Sequence, residues 1–260
     1  MRIALIGAGN LATNLGAALL EAGEQVCQVY SRTLQSAERL ADTLGCEATD
    51  RIEQIVTDAT LYIVALKDAV LPSLLPLLVK GREKAVWVHT AGSIPLDIWK
   101  ETSAVQYGVF YPMQTFSKMR RVKFCHIPVF LEASDAALLE RLKKMAACLS
   151  DSVYVADSEQ RRFLHLSAVF ACNFTNALYG MSEHLLKQHG IPFEVMLPLI
   201  DETAQKVHFL SPVEAQTGPA IRYDRNVMDK QLALLEDEPD LRQVYELLSD
   251  YIHKTSAIGG

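Results

Sequence analysis

Short apolar runs alternate with amphipathic stretches through the first half of the chain. RIALIG, QVCQVYS, TLYIVAL, AVWVHTAG and VQYGVFYP are rich in Val, Ile and aromatic residues and predict strands. NLATNLGAALLEAG and SAERLADTLG predict helices between them, each closed by Gly. Strand, helix and strand at this spacing predict a parallel sheet with helices on both faces. IPVFLEA and SVYVA, on either side of the helix-like DAALLERLKKMAACL, predict later strands of the same sheet. After about Asp157 the strand rhythm stops. SEQRRFLHLSAVFACNFTNALYGMSEHLLKQHG predicts a long helix ending at Gly190, and PFEVMLPLIDETAQKVHFL, NVMDKQLALLEDE and PDLRQVYELLSDYIHKT predict three more. The expected organisation is an α/β domain over residues 1–156 followed by an all-α domain over 157–260.

Composition narrows the class. The chain has 260 residues, half of them hydrophobic, which is enough for two cored domains and excludes a disordered chain. Its 25 basic and 31 acidic residues leave a formal charge of −6, which gives no electrostatic reason to expect nucleic-acid binding. The run Lys118-Met119-Arg120-Arg121-Val122-Lys123 breaks that balance and reads as a solvated loop. Five widely spaced cysteines, with no CxxC pair and no Cys/His ligand spacing, suggest neither a disulfide framework nor a metal site. A strand begins almost at once with no charged leader, and no apolar run reaches the ~18 residues of a membrane span. A cytoplasmic location is expected.

The first strand leads directly into Gly7-x-Gly9-x-x-Ala12. In a dinucleotide site, the first Gly permits a tight turn and the second lets backbone approach a pyrophosphate. The small third residue allows close helix-to-strand packing. A helix starting near Asn10, with Leu11 in its first turn, aims free N–H groups at phosphate oxygens. The alternative is an ordinary strand-to-helix turn.

The end of the second strand separates the nicotinamide cofactors. An NAD site places Asp or Glu there for the ribose hydroxyls, whereas this chain has Tyr30-Ser31-Arg32-Thr33. Arg32 suits a 2′-phosphate and an adenine face, and Ser31 and Thr33 add hydroxyl donors, so NADP is the expected cofactor. Further strand ends carry Ala65-Leu66-Lys67-Asp68, His89-Thr90-Ala91-Gly92-Ser93 and Tyr111-Pro112-Met113-Gln114-Thr115. Polar residues gathered beyond strand carboxyl ends predict a ligand cleft. Ala65, Leu66, Lys67 and Thr90 are expected on its cofactor side, and Ser93, Gln114 and Thr115 toward substrate.

At about 100° per residue the long helix gathers His165, Cys172, Asn173, Asn176, Tyr179, Gly180 and Glu183 on one side, which Arg161 and Arg162 extend. Phe163, Phe170, Phe174, Leu178 and Met181 lie opposite and are expected to be core. Two Asn a turn apart are costly to bury without partners. They either face a substrate or satisfy neighbouring backbone and a subunit contact. His165 either donates a proton near neutral pH or is structural.

Together GAGNLA, SRT, HTAGS, GVFYPMQTFSK, HLSAVFACNFTNALYG and QTGPAIRYD resemble a bacterial family of Rossmann-like proteins with a C-terminal helical domain of unknown function. More distantly the chain is similar to pyrroline-5-carboxylate reductases, ketopantoate reductases and deazaflavin-dependent NADP oxidoreductases. The resemblance implies an NADP domain joined to a helical domain like the C-terminal part of 6-phosphogluconate dehydrogenase. It also implies a homodimer formed through the helices and reduction of a small C=N or C=O group. Ketopantoate and hydroxyacid reductases carry a catalytic Lys one turn before an Asn. Matching that Asn to Asn173 puts Val169 at the Lys position, which leaves Lys chemistry unsupported, and pyrroline-5-carboxylate reductases manage without it.

In QTGPAIRYD, Pro219 and Ala220 suit a helix start capped by Thr217, and Gly218 a close backbone approach. Arg222 and Asp224 either bind a substrate carboxylate and orient a partner, or form an ion pair. The reading is an NADP-dependent oxidoreductase acting on a small carbonyl or imine compound of the keto acid or cyclic imine class. Its catalytic candidates are His165, Asn173 and Asn176; its substrate contacts are Ser93, Gln114, Thr115, Thr217, Gly218 and Arg222. The rival is an NADP-binding sensor without turnover.

Overall fold

The computed structural model describes residues 1–256. Its strands are β1 (Arg2–Ile6), β2 (Gln25–Tyr30), β3 (Glu47–Thr49), β4 (Leu61–Val64), β5 (Val86–His89), β6 (Gln106–Pro112), β7 (Val129–Ala133) and β8 (Val153–Val155). They form one sheet in the order β3-β2-β1-β4-β5-β6-β7-β8. The first six are parallel; β7 runs antiparallel to β6, and β8 parallel to β7. The sheet is therefore mostly parallel, as the alternating pattern predicts. Its order reverses beside β1, between β2 and β4, which is where open α/β sheets bind ligands.

Alternate residues of each strand feed two cores. Ile3, Leu5, Ile63 and Val88 pack with α1 (Asn10–Glu21), α2 (Leu34–Leu44) and α4 (Ala136–Ala147) on one face. Ala4, Ile6, Tyr62, Val64 and Trp87 pack on the other with α3 (Leu71–Val79) and the 3₁₀ turn that carries Trp99. Tyr62 and Trp87 stack at 4.2 Å. Two elements escape the sequence pattern. The three-residue β3 lacks an apolar run, and α3 is apolar on all sides with Pro72 and Pro76 inside it, so neither displays its period.

Asp157 opens α5 (Ser158–Ala168) with a capping box closed by Gln160. A π-helical segment, Val169–Phe174, separates α5 from α6 (Thr175–Gln188), and Gly190 ends the run at φ +68°. Compactness divides the chain inside that segment, into Met1–Cys172 and a unit from Asn173 onward. The change of rhythm at Asp157 and this division thus fall at different places on one helical run.

Two expectations for the helical part are corrected. The Phe-rich face is not core: Phe163 is 64% exposed, Phe170 63% and Phe174 50%. Periodicity marks an apolar face but does not say what covers it. QTGPAIRYD does not start a helix at Pro219 either. Residues 219–223 form a turn, and α8 (Arg225–Ala233) is capped by Asp224, which accepts from the Val227 N–H at 3.3 Å. The Gly at 218 (φ +106°) and Tyr223 (φ +51°) hold the chain outside the helical region until Asp224. The unit also contains α7 (Leu197–Lys206) and α9 (Pro239–Ser256), close to the predicted spans.

Candidate functional site

The turn after β1 requires its first glycine. Gly7 has φ +121°, and a Cβ there would lie 2.3 Å from the Ala65 carbonyl oxygen at the end of β4. Its N–H donates to the Tyr30 carbonyl at 2.7 Å, which ties the turn to the end of β2. A Cβ on Gly9 would meet no protein atom within 4 Å, so the chain's own packing gives no reason for glycine there. Gly9 is the N-cap of α1, with no side chain capping it, and Asn10 is exposed in the first turn. Leu11 is half-buried and Ala12 fully buried against the sheet. Close helix-to-strand approach also depends on Gly16, where a Cβ would stand 2.9 Å from Leu44 and 3.1 Å from Leu5. These features fit a pyrophosphate: backbone donors at a helix start, reached over a residue without a side chain.

Beside that turn, Ser31 follows β2 and its N–H donates to the Thr49 carbonyl at 3.1 Å. Thr33 is the N-cap residue of α2, with Oγ1 donating to Ser36 Oγ at 2.8 Å. Arg32 between them is exposed and makes no ion pair among the described residues. The guanidinium therefore stands at the strand end with its charge uncompensated.

Farther along the sheet edge, Ala65 and Leu66 pack against the two cores and Lys67 is exposed. Thr90 is buried, its hydroxyl turned to the Val64 carbonyl at 3.3 Å. Ser93 donates a very short hydrogen bond to Asp68, linking the loops after β5 and β4. Gln114 and Thr115 are exposed, with Gln114 Oε1 accepting from the Thr115 N–H at 2.8 Å.

One pair was not anticipated. Tyr111 Oη on β6 lies 3.0 Å from Nδ1 of His165 on α5. Gly92 makes room for both, since a Cβ there would stand 2.7 Å from the Tyr111 ring and 2.8 Å from His165 Nδ1. Burial pushes the Tyr111 phenol up to about 12, Arg161 pulling it down and Asp68 adding to the rise. Tyr111 is thus a neutral O–H near pH 7. Donating that hydrogen to Nδ1 puts the proton of a neutral His165 on Nε2. The polar residues after β6 pointed to this strand end, but nothing in the sequence ties Tyr111 to a helix 54 positions away.

Arg161 does not extend a ligand-facing side. It is fully buried, paired with Glu132 of β7, and donates to the Ile94 carbonyl at 2.6 Å. Ser158 completes the cluster with 2.8 Å to Glu132. The cluster anchors the start of α5 and so positions His165 two turns on. Nearby His89 is fully buried; desolvation, then Arg161, pushes its pKa down to about 3. Asn14 is also structural. Its amide donates to the Asn10 carbonyl at 2.9 Å and the Ser117 carbonyl at 3.0 Å, tying the basic loop to the first turn of α1.

In the unit from Asn173 onward, Asn173 and Asn176 are exposed, so the burial argument for a partner lapses. The six-residue π segment also breaks the uniform rotation that placed them on the side of His165. Thr217 lines an apolar groove of about 520 Å³ with Leu178, Met181, Leu235 and Ile252. Gly218 is half-buried. Arg222 is exposed and not paired with Asp224, whose carboxylate caps α8. Tyr223 stacks on His253 at 4.3 Å.

The fold and this sheet edge define a Rossmann-type dinucleotide-binding domain joined to a helical one, the architecture of NADP oxidoreductases. Residues 2–91 match the family model described as NADP oxidoreductase, coenzyme F420-dependent, and residues 127–252 match the domain of unknown function DUF2520. A crystal structure of a Bacteroides fragilis protein, described as a "putative NADP oxidoreductase", is 56% identical with TM-score 0.93, covering 97% of this chain and 98% of that one. The chain belongs to the same family, in which an F420-dependent-type NADP oxidoreductase domain precedes a DUF2520 domain. A Thermotoga maritima protein is 22% identical with TM-score 0.76, over 96% of this chain and 99% of that one. An imine reductase from Myxococcus stipitatus, solved with NADP+, shares the fold at 18% identity and TM-score 0.70, over 100% and 95%. No curated protein matches the sequence. No helix among the described residues is long and apolar enough to cross a membrane.

Proposed function

We propose that this chain is an NADP-dependent oxidoreductase that reduces a small carbonyl or imine substrate of the keto acid or cyclic imine class. The observation that carries this is the strand-end arrangement of β1 and β2. A turn that only Gly7 can form leads into an α-helix start, and beside it stands Arg32 with no carboxylate in its place. Gly7, Gly9, Asn10, Leu11 and Ala12 hold the pyrophosphate. Ser31, Arg32 and Thr33 take the 2′-phosphate, and Ala65, Leu66, Lys67 and Thr90 border the cofactor. One related fold of stated chemistry is the imine reductase solved with NADP+.

When bound, NADPH supplies the hydride. The chain supplies the proton and the alignment. His165, held at Nδ1 by its hydrogen bond to Tyr111, is the donor: as the imidazolium it passes the Nε2 proton to the substrate nitrogen or oxygen and is left as neutral imidazole. Ser93, kept in place by Asp68, and Gln114 and Thr115 contribute polar contacts on the same strand edge. On the helical unit, Asn173, Asn176, Thr217 and Arg222 are exposed and Gly218 is half-buried beside Thr217.

The helical unit pairs with a second copy in this reading. Leu178, Ile191, Val195, Leu197 and Leu199 are exposed on it and offer apolar surface for a second copy to cover. All five cysteines are free, which fits a reducing cytoplasm.

NADPH consumption, followed by absorbance with panels of keto acids and of cyclic imines, tests the reaction. Turnover with one panel supports it. NADPH binding without turnover on any of them would favour a nucleotide sensor.

A further inference from the structure

The turns that precede β7 and β8 meet at one place. Cys125 and His126 lie in the 3₁₀ turn Phe124–His126, and Asp151 lies between α4 and β8. Cys125 Sγ, an imidazole nitrogen of His126 and a carboxylate oxygen of Asp151 all lie within 4.8 Å of one another. The backbone holds them there. The Asp151 N–H donates to the Cys125 carbonyl at 2.9 Å, and the His126 N–H to the Lys123 carbonyl at 3.2 Å. Ser150 Oγ, buried, donates to the Ile127 carbonyl at 2.6 Å, and the Val129 N–H to the Ser152 carbonyl at 2.9 Å. Phe124 roots the turn in the core, stacked on Phe116. Both loops are thus fixed before any ligand arrives, which lowers the entropy lost in bringing three donors together.

The donor set has a definite chemistry. A thiolate and a carboxylate carry two negative charges and match a divalent cation, leaving a neutral site despite the basic run that ends at Lys123. Sulfur, imidazole nitrogen and carboxylate oxygen together favour a borderline ion such as Zn2+ over Mg2+ or Ca2+, which take oxygen ligands. With Zn–S near 2.3 Å and Zn–N or Zn–O near 2.0–2.2 Å, tetrahedral ligands stand roughly 3.3–3.7 Å apart, within reach of small side-chain rotations. We propose that Cys125, His126 and Asp151 form a three-ligand site for a divalent transition metal of the zinc type, with water at the fourth position.

Its place in the fold gives it a role. Because β7 runs antiparallel to β6, with Pro112 opposite Val129, the turn before β7 stands at the edge where β1, β4, β5 and β6 end. The loop between β6 and this turn is held to the Asn10 carbonyl region of α1 through Asn14 and Ser117. A metal on Cys125 and His126 pins the far end of the same loop.

Titration of the full chain with Co2+ after chelator treatment tests the site. The expected result is one equivalent bound, with a thiolate-to-cobalt charge-transfer band and the intense visible bands of a four-coordinate ion. Zn2+ displaces it. Cys125→Ser abolishes the charge-transfer band, and His126→Ala and Asp151→Asn each weaken binding at least about tenfold, the loss that even an outer partner can cause. Cys148→Ser, at another exposed cysteine, changes nothing. The three ligands are exposed, and circular dichroism confirms that each variant is folded. No band at micromolar protein overturns the proposal. So does a band that survives unchanged in both His126→Ala and Asp151→Asn, which would mean binding by the thiol alone.

Discussion

Tyr111 Oη and His165 Nδ1 are hydrogen-bonded at 3.0 Å, joining the end of β6 to the third turn of α5. The pair fixes a ring that a helix alone would leave free to rotate and engages Nδ1, leaving Nε2 as the nitrogen free for substrate. His165→Ala is expected to lower kcat about a hundredfold, the lower end of general acid catalysis. Tyr111→Phe is expected to lower it about five- to tenfold, the worth of one neutral hydrogen bond. The double variant should be no slower than His165→Ala. Additive losses in steady-state kinetics would mean that Tyr111 acts on its own.

Gly7→Ala places a methyl 2.3 Å from a backbone carbonyl at a φ that L residues rarely adopt. The strained backbone alone costs about 1–3 kcal/mol. Urea unfolding should show that loss or more, and NADPH binding should fail with it. Gly9→Ala clashes with no protein atom. It should cost no more than about 1 kcal/mol, the penalty of Ala at an N-cap position, yet weaken NADPH.

The Arg161–Glu132 pair is buried at the start of α5. Glu132→Gln leaves the guanidinium without its counter-charge and is expected to destabilise by about 3–5 kcal/mol, read from the denaturant midpoint. Exposed pairs such as Lys143–Glu140 should show less than about 1 kcal/mol in the same assay.

His89 gives the fold a dependence on pH. Its folded pKa is near 3, against about 6.5 for a free imidazole. Between those values the unfolded chain takes up a proton that the folded chain refuses, so unfolding free energy rises with pH in that window. The contribution is complete above about pH 6.5 and is lost as pH falls toward 3, by up to about 1.4 kcal/mol per pH unit. His89→Asn should flatten the slope of stability between pH 6.5 and 5. An unchanged slope would move the cause to other groups.

The parallel sheet was legible because its strands are buried on both faces and read as unbroken apolar runs, Leu61–Val64 and Val86–His89 among them. The glycine turn was legible because backbone sterics act locally: Gly7 meets Ala65 only through the geometry of adjacent parallel strands. Tyr111 and His165 were not paired in advance, since their contact depends on how α5 leaves β8, which no spacing encodes. Arg161 was misread because a charged residue on a helix defaults to the surface, and only tertiary structure brings Glu132 beneath it. The face count along α5 and α6 failed at Val169–Phe174, where the helix widens without a proline or glycine to announce it.

In the proposed reading the β2 end selects NADP through Arg32. Fluorescence titration of NADPH and NADH against the parent chain and Arg32→Ala measures it directly. NADPH is expected to bind the parent more tightly than NADH. Arg32→Ala should lose about ten- to a hundredfold for NADPH, the worth of one charge-assisted contact, and little for NADH. Equal binding of the two nucleotides by the parent, or an Arg32→Ala chain that keeps full NADPH affinity, would contradict it.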